Sequence, residues 1–119
     1  MKTDNFVNEM YSIVDAKDGA ALAAMMTEDA IFRFANMPHV EGREGITSFL
    51  DTFYRSIKNI RHEQIEDWQL GDIRFATGIV NYTRHNNTVL RVPFAVKLKM
   101  QGRLISEYLI FVDASQLYT

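Results

Sequence analysis

The chain has 119 residues, of which 47% are hydrophobic and 24% charged, and it carries a formal net charge of −2 with neutral histidines. This length predicts one domain, residues 1–119, with one sizeable core. The charge argues against a nucleic-acid or anionic-membrane surface, which needs a basic excess, and the lack of cysteine excludes disulfides, thiolate metal sites and cysteine nucleophiles.

The N-terminal half predicts three helices. Asp4 and Glu9 stand where a signal peptide would have its apolar run, so we expect a cytoplasmic protein without a membrane partner. Apolar residues at helical spacing predict a first helix, with Asp15 among its outward polar residues; they are Phe6, Val7, Met10, Tyr11 and Val14. Asp18 is placed to cap a short second helix, whose buried side is Ala21, Leu22, Met25 and Met26. A third helix begins near Arg43, with Ile46, Phe49, Leu50, Phe53 and Ile57 on its core face.

Strand patterns dominate the rest of the chain. One short apolar strand, Ala30–Ala35, lies between the second and third helices, and the meander that follows comprises Ile60–Leu70, Ile73–Arg84, Val89–Met100 and Leu104–Val112. In the first strand of the meander, His62 and Trp68 share one parity. Pro93 lacks an N–H group, so we expect a bulge or an unpaired position there. A strongly curved, mainly antiparallel sheet wrapped against the helices would enclose a pocket.

Two stretches carry a family resemblance: TEDAIFRFAN…PHVEGREGITSFL, and NYTRHNNTVLRVPFAV…GRLISEYLIFVD. They resemble the nuclear transport factor 2-like superfamily, in particular its polyketide cyclase (SnoaL-like) branch, and the resemblance runs from about Phe6 to Leu117. It implies a cone-shaped α+β barrel that forms a homodimer through the outer face of its sheet. In this superfamily the pocket hosts isomerases, cyclases, epoxide hydrolases, dehydratases and members without a known reaction.

One reaction pattern of the resemblance is testable residue by residue. Ketosteroid isomerases need a tyrosine on the first helix, an aspartate base on the first strand and a second acid after the hairpin. These positions fall on Met10, on Phe34, and on Phe94 or Pro93, and Tyr11 is one residue away from the first of them. We therefore expect no ketosteroid isomerase chemistry of the Tyr/Asp/Asp type.

Asp113 is the first candidate for a catalytic base. It closes the apolar strand YLIFVD, and a carboxylate inside an apolar cavity would have a raised pKa. In the cyclases that the chain resembles, an aspartate of the last strand does this work. The alternative is an aspartate that caps the next turn, ASQ. His39, His62 and Tyr11 are candidate partners, and each histidine has an ordinary surface or packing role as its alternative.

Other side chains are candidate ligand contacts. Arg33 interrupts an apolar strand; it needs an anion if it points inward, and it is a plain surface residue if it points outward. Aromatic residues suit a flat apolar ligand as well as core or dimer packing. The predicted ligand-binding set is Arg33, Trp68, Tyr82, Tyr108, Phe111 and Met26.

No metal site and no cofactor is expected. His62 and Glu66 lie four residues apart, but on a strand they are too far apart to share an ion, and no Gly-rich phosphate loop is present.

Two functions remain. The first is a pocket protein that moves protons on a small, largely apolar organic ligand, as an isomerase, cyclase or hydratase does, with Asp113 as base. The second is a non-catalytic member that binds a ligand or a protein partner.

Overall fold

A computed structural model describes residues 4–118. Three helices and six strands follow in the order α1 (Phe6–Asp15), α2 (Gly19–Ala24), β1 (Met26–Phe34), β2 (Val40–Glu41), α3 (Arg43–Arg55), β3 (Asn59–Leu70), β4 (Ile73–Thr83), β5 (Val89–Gln101) and β6 (Leu104–Val112). The predicted α+β class, with helices packed on a curved and mostly antiparallel sheet, is confirmed. No helix in the described part of the chain is long and apolar enough to cross a membrane.

The helices form where apolar spacing and capping chemistry predict them. The buried residues of α1 recur at three- and four-residue spacing: Val7, Met10, Tyr11 and Val14. Asp18 caps α2, because its Oδ1 accepts a hydrogen bond from the Ala21 amide at 3.0 Å. The prediction that Met26 belongs to the second helix is wrong. Met26 is fully buried, but it begins β1, because α2 ends at Ala24 and Met25 is its C-cap.

The strand order across the sheet is β2-β1-β6-β5-β4-β3. The four strands of the predicted meander pair antiparallel as consecutive neighbours, whereas β1 joins β6 in parallel and so extends the sheet beyond the meander. The two-residue β2, which pairs with β1, was not predicted. This arrangement brings α1, α3, β1 and the meander around one core.

A bulge in β3 decides which side chains of that strand face the core. The register with β4 shifts between Glu63 and Glu66, and Gln64 has a φ of 55°. Before the bulge, His62 points inward; after it, Trp68 points outward and is 50% exposed. The expectation that both share one face is therefore wrong, because the extra residue reverses the alternation.

Gly78 of β4 lies opposite this bulge. A Cβ atom there would stand 2.8 Å from the Glu63 carbonyl oxygen and 2.8 Å from the Phe94 ring. Only glycine lets β3 bulge while Phe94 lies over the same point of β4.

Pro93 does not produce a bulge. It pairs with Ile79 of β4 in unbroken register, and the pairing of β5 with β6 begins one residue later, at Phe94. At Pro93, therefore, β5 is paired with β4 only. A residue without an N–H group is tolerated there, because one side of the strand has no partner to hydrogen-bond.

Candidate functional site

A small cavity lies between the inner face of the sheet and the helices. Its volume is about 40 Å³, which is room for a few water molecules or a ligand of a few heavy atoms. The lining is Tyr11, Val14, Leu22, Phe32, Phe34, Phe49, Leu50, Phe53, Tyr54, Ile60, His62, Val80, Tyr82, Phe94, Tyr108 and Ile110. Nine of these residues are Phe or Tyr, so the polar atoms in the wall are tyrosine hydroxyls and one imidazole.

His62 and Asp15 form a close pair at the wall of the cavity. The Nδ1 atom of His62 lies 2.6 Å from Oδ1 of Asp15, and the backbone amide of His62 donates to Oδ2 of the same carboxylate at 3.0 Å. The His62 side chain is 8% exposed and that of Asp15 26%. The carboxylate therefore fixes the imidazole on one side, and Nε2 is the ring nitrogen left for a ligand.

Two aromatic rings hold the His62 imidazole in place. Tyr11 of α1 lies against it with ring centres 4.3 Å apart, and Phe94 of β5 meets it edge-on at 5.0 Å. Because α1 and β5 both contact this ring, which β3 carries, its orientation is set by the packing of regular elements rather than by a loop.

The cavity tyrosines are neutral. The hydroxyl groups of Tyr11 and Tyr108 are hydrogen-bonded to each other. Burial, before any other cause, raises the pKa of Tyr11, Tyr54, Tyr82 and Tyr108 well above the ordinary value of 10.0. These side chains can therefore donate hydrogen bonds at neutral pH but cannot serve as bases there.

The structure brings four of the predicted site residues to the cavity, namely Tyr11, His62, Tyr82 and Tyr108. It leaves others elsewhere. His39 is exposed in the segment before β2, Trp68 lies on the outer face of the sheet, and Met26 is buried outside the cavity lining.

Asp113 does not act as a buried carboxylate. It lies one residue beyond β6, fully exposed, and its Oδ1 accepts a hydrogen bond from the Ser115 amide at 3.1 Å. The predicted rise of its pKa is wrong, because hydrogen bonding to the side chain and then the amide of Ser115 lowers that pKa. Asp113 is the cap of the following turn, which was the alternative interpretation.

A second depression lies outside the cavity, and three more of the predicted residues line it. Arg33, Phe111 and Asp113 line a groove of about 640 Å³ between the ends of β1 and β6. Arg33 points outward, and its Nε donates to the Met37 carbonyl oxygen at 3.1 Å, so it needs no ligand anion. Phe34 and Ile110 line both the groove and the cavity and form the wall between them.

Asp15 is the site residue that the sequence interpretation missed, since its polarity assigned it to the outer side of α1. A signal was present. Asp15 stands four residues after Tyr11, and residues at this spacing share one helical face, so an inward Tyr11 predicts that Asp15 lies beside it.

Comparisons with known proteins agree with the fold. The model of the SnoaL-like domain family matches residues 7–108, which is most of the chain. No curated protein matches the sequence.

Several solved structures share the fold. A candidate polyketide cyclase from Xanthomonas campestris superposes with a TM-score of 0.86 at 18% identity, covering 95% of this chain and 91% of that one. A hypothetical protein with a ketosteroid isomerase-like fold from Catenulispora acidiphila, in complex with trimethylamine, gives 0.84 at 19% identity, with coverage of 92% and 86%. An NTF2-like protein of unknown function from Burkholderia pseudomallei gives 0.85 at 14% identity, with coverage of 95% and 92%. The chain belongs to the SnoaL-like domain family.

Proposed function

We propose that the protein is a proton-transfer enzyme of the isomerase or cyclase type, with His62 as general base and acid and Asp15 as the residue that positions it. The observation that supports this is the Asp15–His62 pair at the wall of a cavity lined mostly by aromatic rings. The substrate is a small, largely apolar organic molecule, and the reaction needs no cofactor.

The geometry suits the chemistry. Asp15 accepts the Nδ1 proton of His62 in a hydrogen bond, which leaves the lone pair of Nε2 available for a substrate proton. When Nε2 takes that proton, the imidazolium is stabilised by the adjacent carboxylate, and the apolar surroundings strengthen this interaction relative to water. His62 can then return the proton to a different atom of the substrate.

The test is proton exchange. Each variant is incubated in D₂O with small ketones, and deuterium uptake at the carbon next to the carbonyl is followed by NMR. We expect wild-type protein to catalyse uptake and His62→Gln to be slower by about 10²-fold or more, the usual contribution of a general base. His39→Gln, an exposed histidine outside the cavity, is the matched control and should keep the wild-type rate. Equal rates for the two variants would contradict the role of His62.

The second candidate is a binding protein without turnover. Its support is the aromatic lining, because tyrosine and phenylalanine faces attract small organic cations; the Catenulispora protein holds trimethylamine in its structure. For this function we expect calorimetry to detect binding of trimethylammonium to the wild-type chain, and we expect no deuterium uptake by any of the ketones.

A homodimer through the outer face of the sheet is also proposed. Trp68, Phe75 and Phe111 are 50%, 40% and 57% exposed on this face, and Trp68 stands directly opposite Phe75 in the pairing of β3 with β4. An exposed apolar patch of this kind is typical of an interface. We expect a dimer in sedimentation at micromolar concentration and a monomer for Trp68→Lys. Val89→Lys, an equally exposed position at the β4–β5 hairpin, should remain dimeric; a monomeric wild-type chain would refute the proposal.

A further inference from the structure

Tyr54 presents a buried hydroxyl group in the cavity. It belongs to α3, is 4% exposed, and lines the cavity together with His62. Its ring lies 5.9 Å from that of Phe53, which fixes its direction. Among the described residues, its Oη is the one buried side-chain oxygen without a hydrogen-bond partner in the protein.

Such an atom calls for an explanation, because buried polar groups in folded proteins are nearly always paired. Three other tyrosine hydroxyls show the contrast. Tyr11 and Tyr108 bond to each other, and the hydroxyl of Tyr118 lies 2.7 Å from that of Ser56. An unpaired donor in a largely apolar cavity with few polar groups is typical of a group that serves a ligand.

The charges nearby indicate which ligand atom fits. Burial first, and then the carboxylates of Asp15, Asp18 and Asp51, raise the pKa of Tyr54, so its hydroxyl keeps its proton. The same carboxylates disfavour an anionic ligand by repulsion. The complementary group is therefore a neutral oxygen acceptor on a small molecule.

We infer that the Tyr54 hydroxyl donates a hydrogen bond to the carbonyl oxygen of a small neutral ketone or aldehyde bound in the cavity. This deepens the proposed function and, as far as turnover is concerned, rests on it. In the proton-transfer step the carbon–hydrogen bond next to the carbonyl breaks and its proton goes to Nε2 of His62. The electron pair forms a carbon–carbon double bond, and the carbonyl oxygen becomes an enolate oxygen that Tyr54 stabilises. In a substrate with a carbon–carbon double bond β,γ to the carbonyl group the enolate is a dienolate, and return of the proton from Nε2 to its γ-carbon gives the α,β-unsaturated isomer; in a simple ketone the proton returns to the same carbon, which is the exchange that deuterium uptake measures.

The experiment compares cyclopentanone with methylenecyclopentane, in which a CH₂ group replaces the oxygen. Affinities are measured by ligand-observed NMR for the wild type and for Tyr54→Phe, which removes only the hydroxyl. We expect Tyr54→Phe to weaken cyclopentanone binding by about three- to tenfold, the usual effect of one neutral hydrogen bond, and to leave methylenecyclopentane binding unchanged. Tyr118→Phe, outside the cavity, is the matched control and should alter neither affinity.

A stability measurement separates this role from a structural one. Without ligand, Tyr54→Phe should melt at the wild-type temperature or above it, because it removes an unpaired buried hydroxyl. A clear loss of stability, or an equal loss of affinity for both probes, would overturn the inference.

The same affinities are measured in His62→Gln, so that binding is tested without turnover. If the oxygen-dependent effect of Tyr54 persists there while no variant shows deuterium uptake, the ligand inference stands and the proposed enzyme function fails. If His62-dependent uptake occurs but the loss of the hydroxyl has no effect on cyclopentanone binding, the enzyme function stands and the inference fails.

Discussion

Asp15 has two roles that depend on the same carboxylate. One oxygen accepts from the backbone amide of His62 and so fastens the end of α1 to β3; the other holds the imidazole at Nδ1. Because Asp15 connects α1 to β3 and also holds a ring nitrogen, the packing of these two elements sets the orientation of His62. In the proposed reaction its effect is therefore on the tautomer and placement of His62 rather than on the substrate.

Asp15→Asn tests this role with almost no change of shape. The asparagine amide can turn its NH₂ group toward Nδ1 and so force the imidazole proton onto Nε2, where the base is needed. We expect deuterium uptake to fall by about 10²-fold or more, as when a histidine is held in the wrong tautomer. Nitrogen NMR of His62 should show the protonated nitrogen change from Nδ1 to Nε2.

Asp113→Asn is the matched control, since it makes the same substitution at an exposed carboxylate on the turn after β6. It should keep the wild-type rate and leave the His62 spectrum unaltered. If instead Asp113→Asn loses activity while Asp15→Asn retains it, the base lies on the last strand and the assignment of His62 is wrong.

The elements differ in how much of them could be predicted. Hydrophobic periodicity predicts the helices and the four-strand meander, because each element buries one face. It does not predict that β1 joins β6 in parallel, since strand pairing over long separations leaves no local pattern. It also fails beyond Gln64, where the bulge places His62 and Trp68 on opposite faces. The one mark of that bulge in the sequence lies on the partner strand, at Gly78.

The residues of the candidate site also differ in how well the sequence predicts their positions. Tyr82 was predictable as an inward residue, because it belongs to a regular, alternating part of β4. Tyr108 was not predictable in this way, because the register of β6 against β5 shifts between Ile105 and Glu107 and so breaks the alternation. The prediction that Asp113 lies inside the cavity was wrong because β6 ends at Val112. The apolar run before Asp113 does not show whether this last, polar residue is buried or exposed to solvent. Asp15 shows that polarity alone assigns a helical face poorly where a charged group has a buried partner.

At the scale of the whole molecule, four buried tyrosines meet around one cavity from four elements: Tyr11 from α1, Tyr54 from α3, Tyr82 from β4 and Tyr108 from β6. The folded state accommodates these hydroxyls only while they are protonated, because burial opposes the tyrosinate anion. The stability of both the helices and the sheet therefore depends on the protonation of these four tyrosines.

We expect the free energy of unfolding to fall steeply above about pH 10, the pKa of tyrosine in an unfolded chain. Below that pH both states keep their protons and the stability is complete. Above it the unfolded chain releases protons that the folded chain retains, so each tyrosine lowers stability by about 1.4 kcal/mol per pH unit until its raised folded pKa is reached. For four tyrosines the slope is about 5 kcal/mol per pH unit, enough to unfold a domain of about 5–15 kcal/mol within a few pH units.

Urea unfolding between about pH 9 and 11, followed by Trp68 fluorescence, measures this slope. Tyr82→Phe should reduce it by about one quarter, because one of four equal proton differences is removed. Tyr118→Phe is the matched control, since Tyr118 is 66% exposed and its loss removes no buried tyrosine. Subtracting the variants from the wild type cancels the lysines, which titrate in the same range. A wild-type slope no steeper than that of Tyr82→Phe would mean that water reaches the Tyr82 hydroxyl in the folded chain, and the cavity would then be open to solvent on the side of β4.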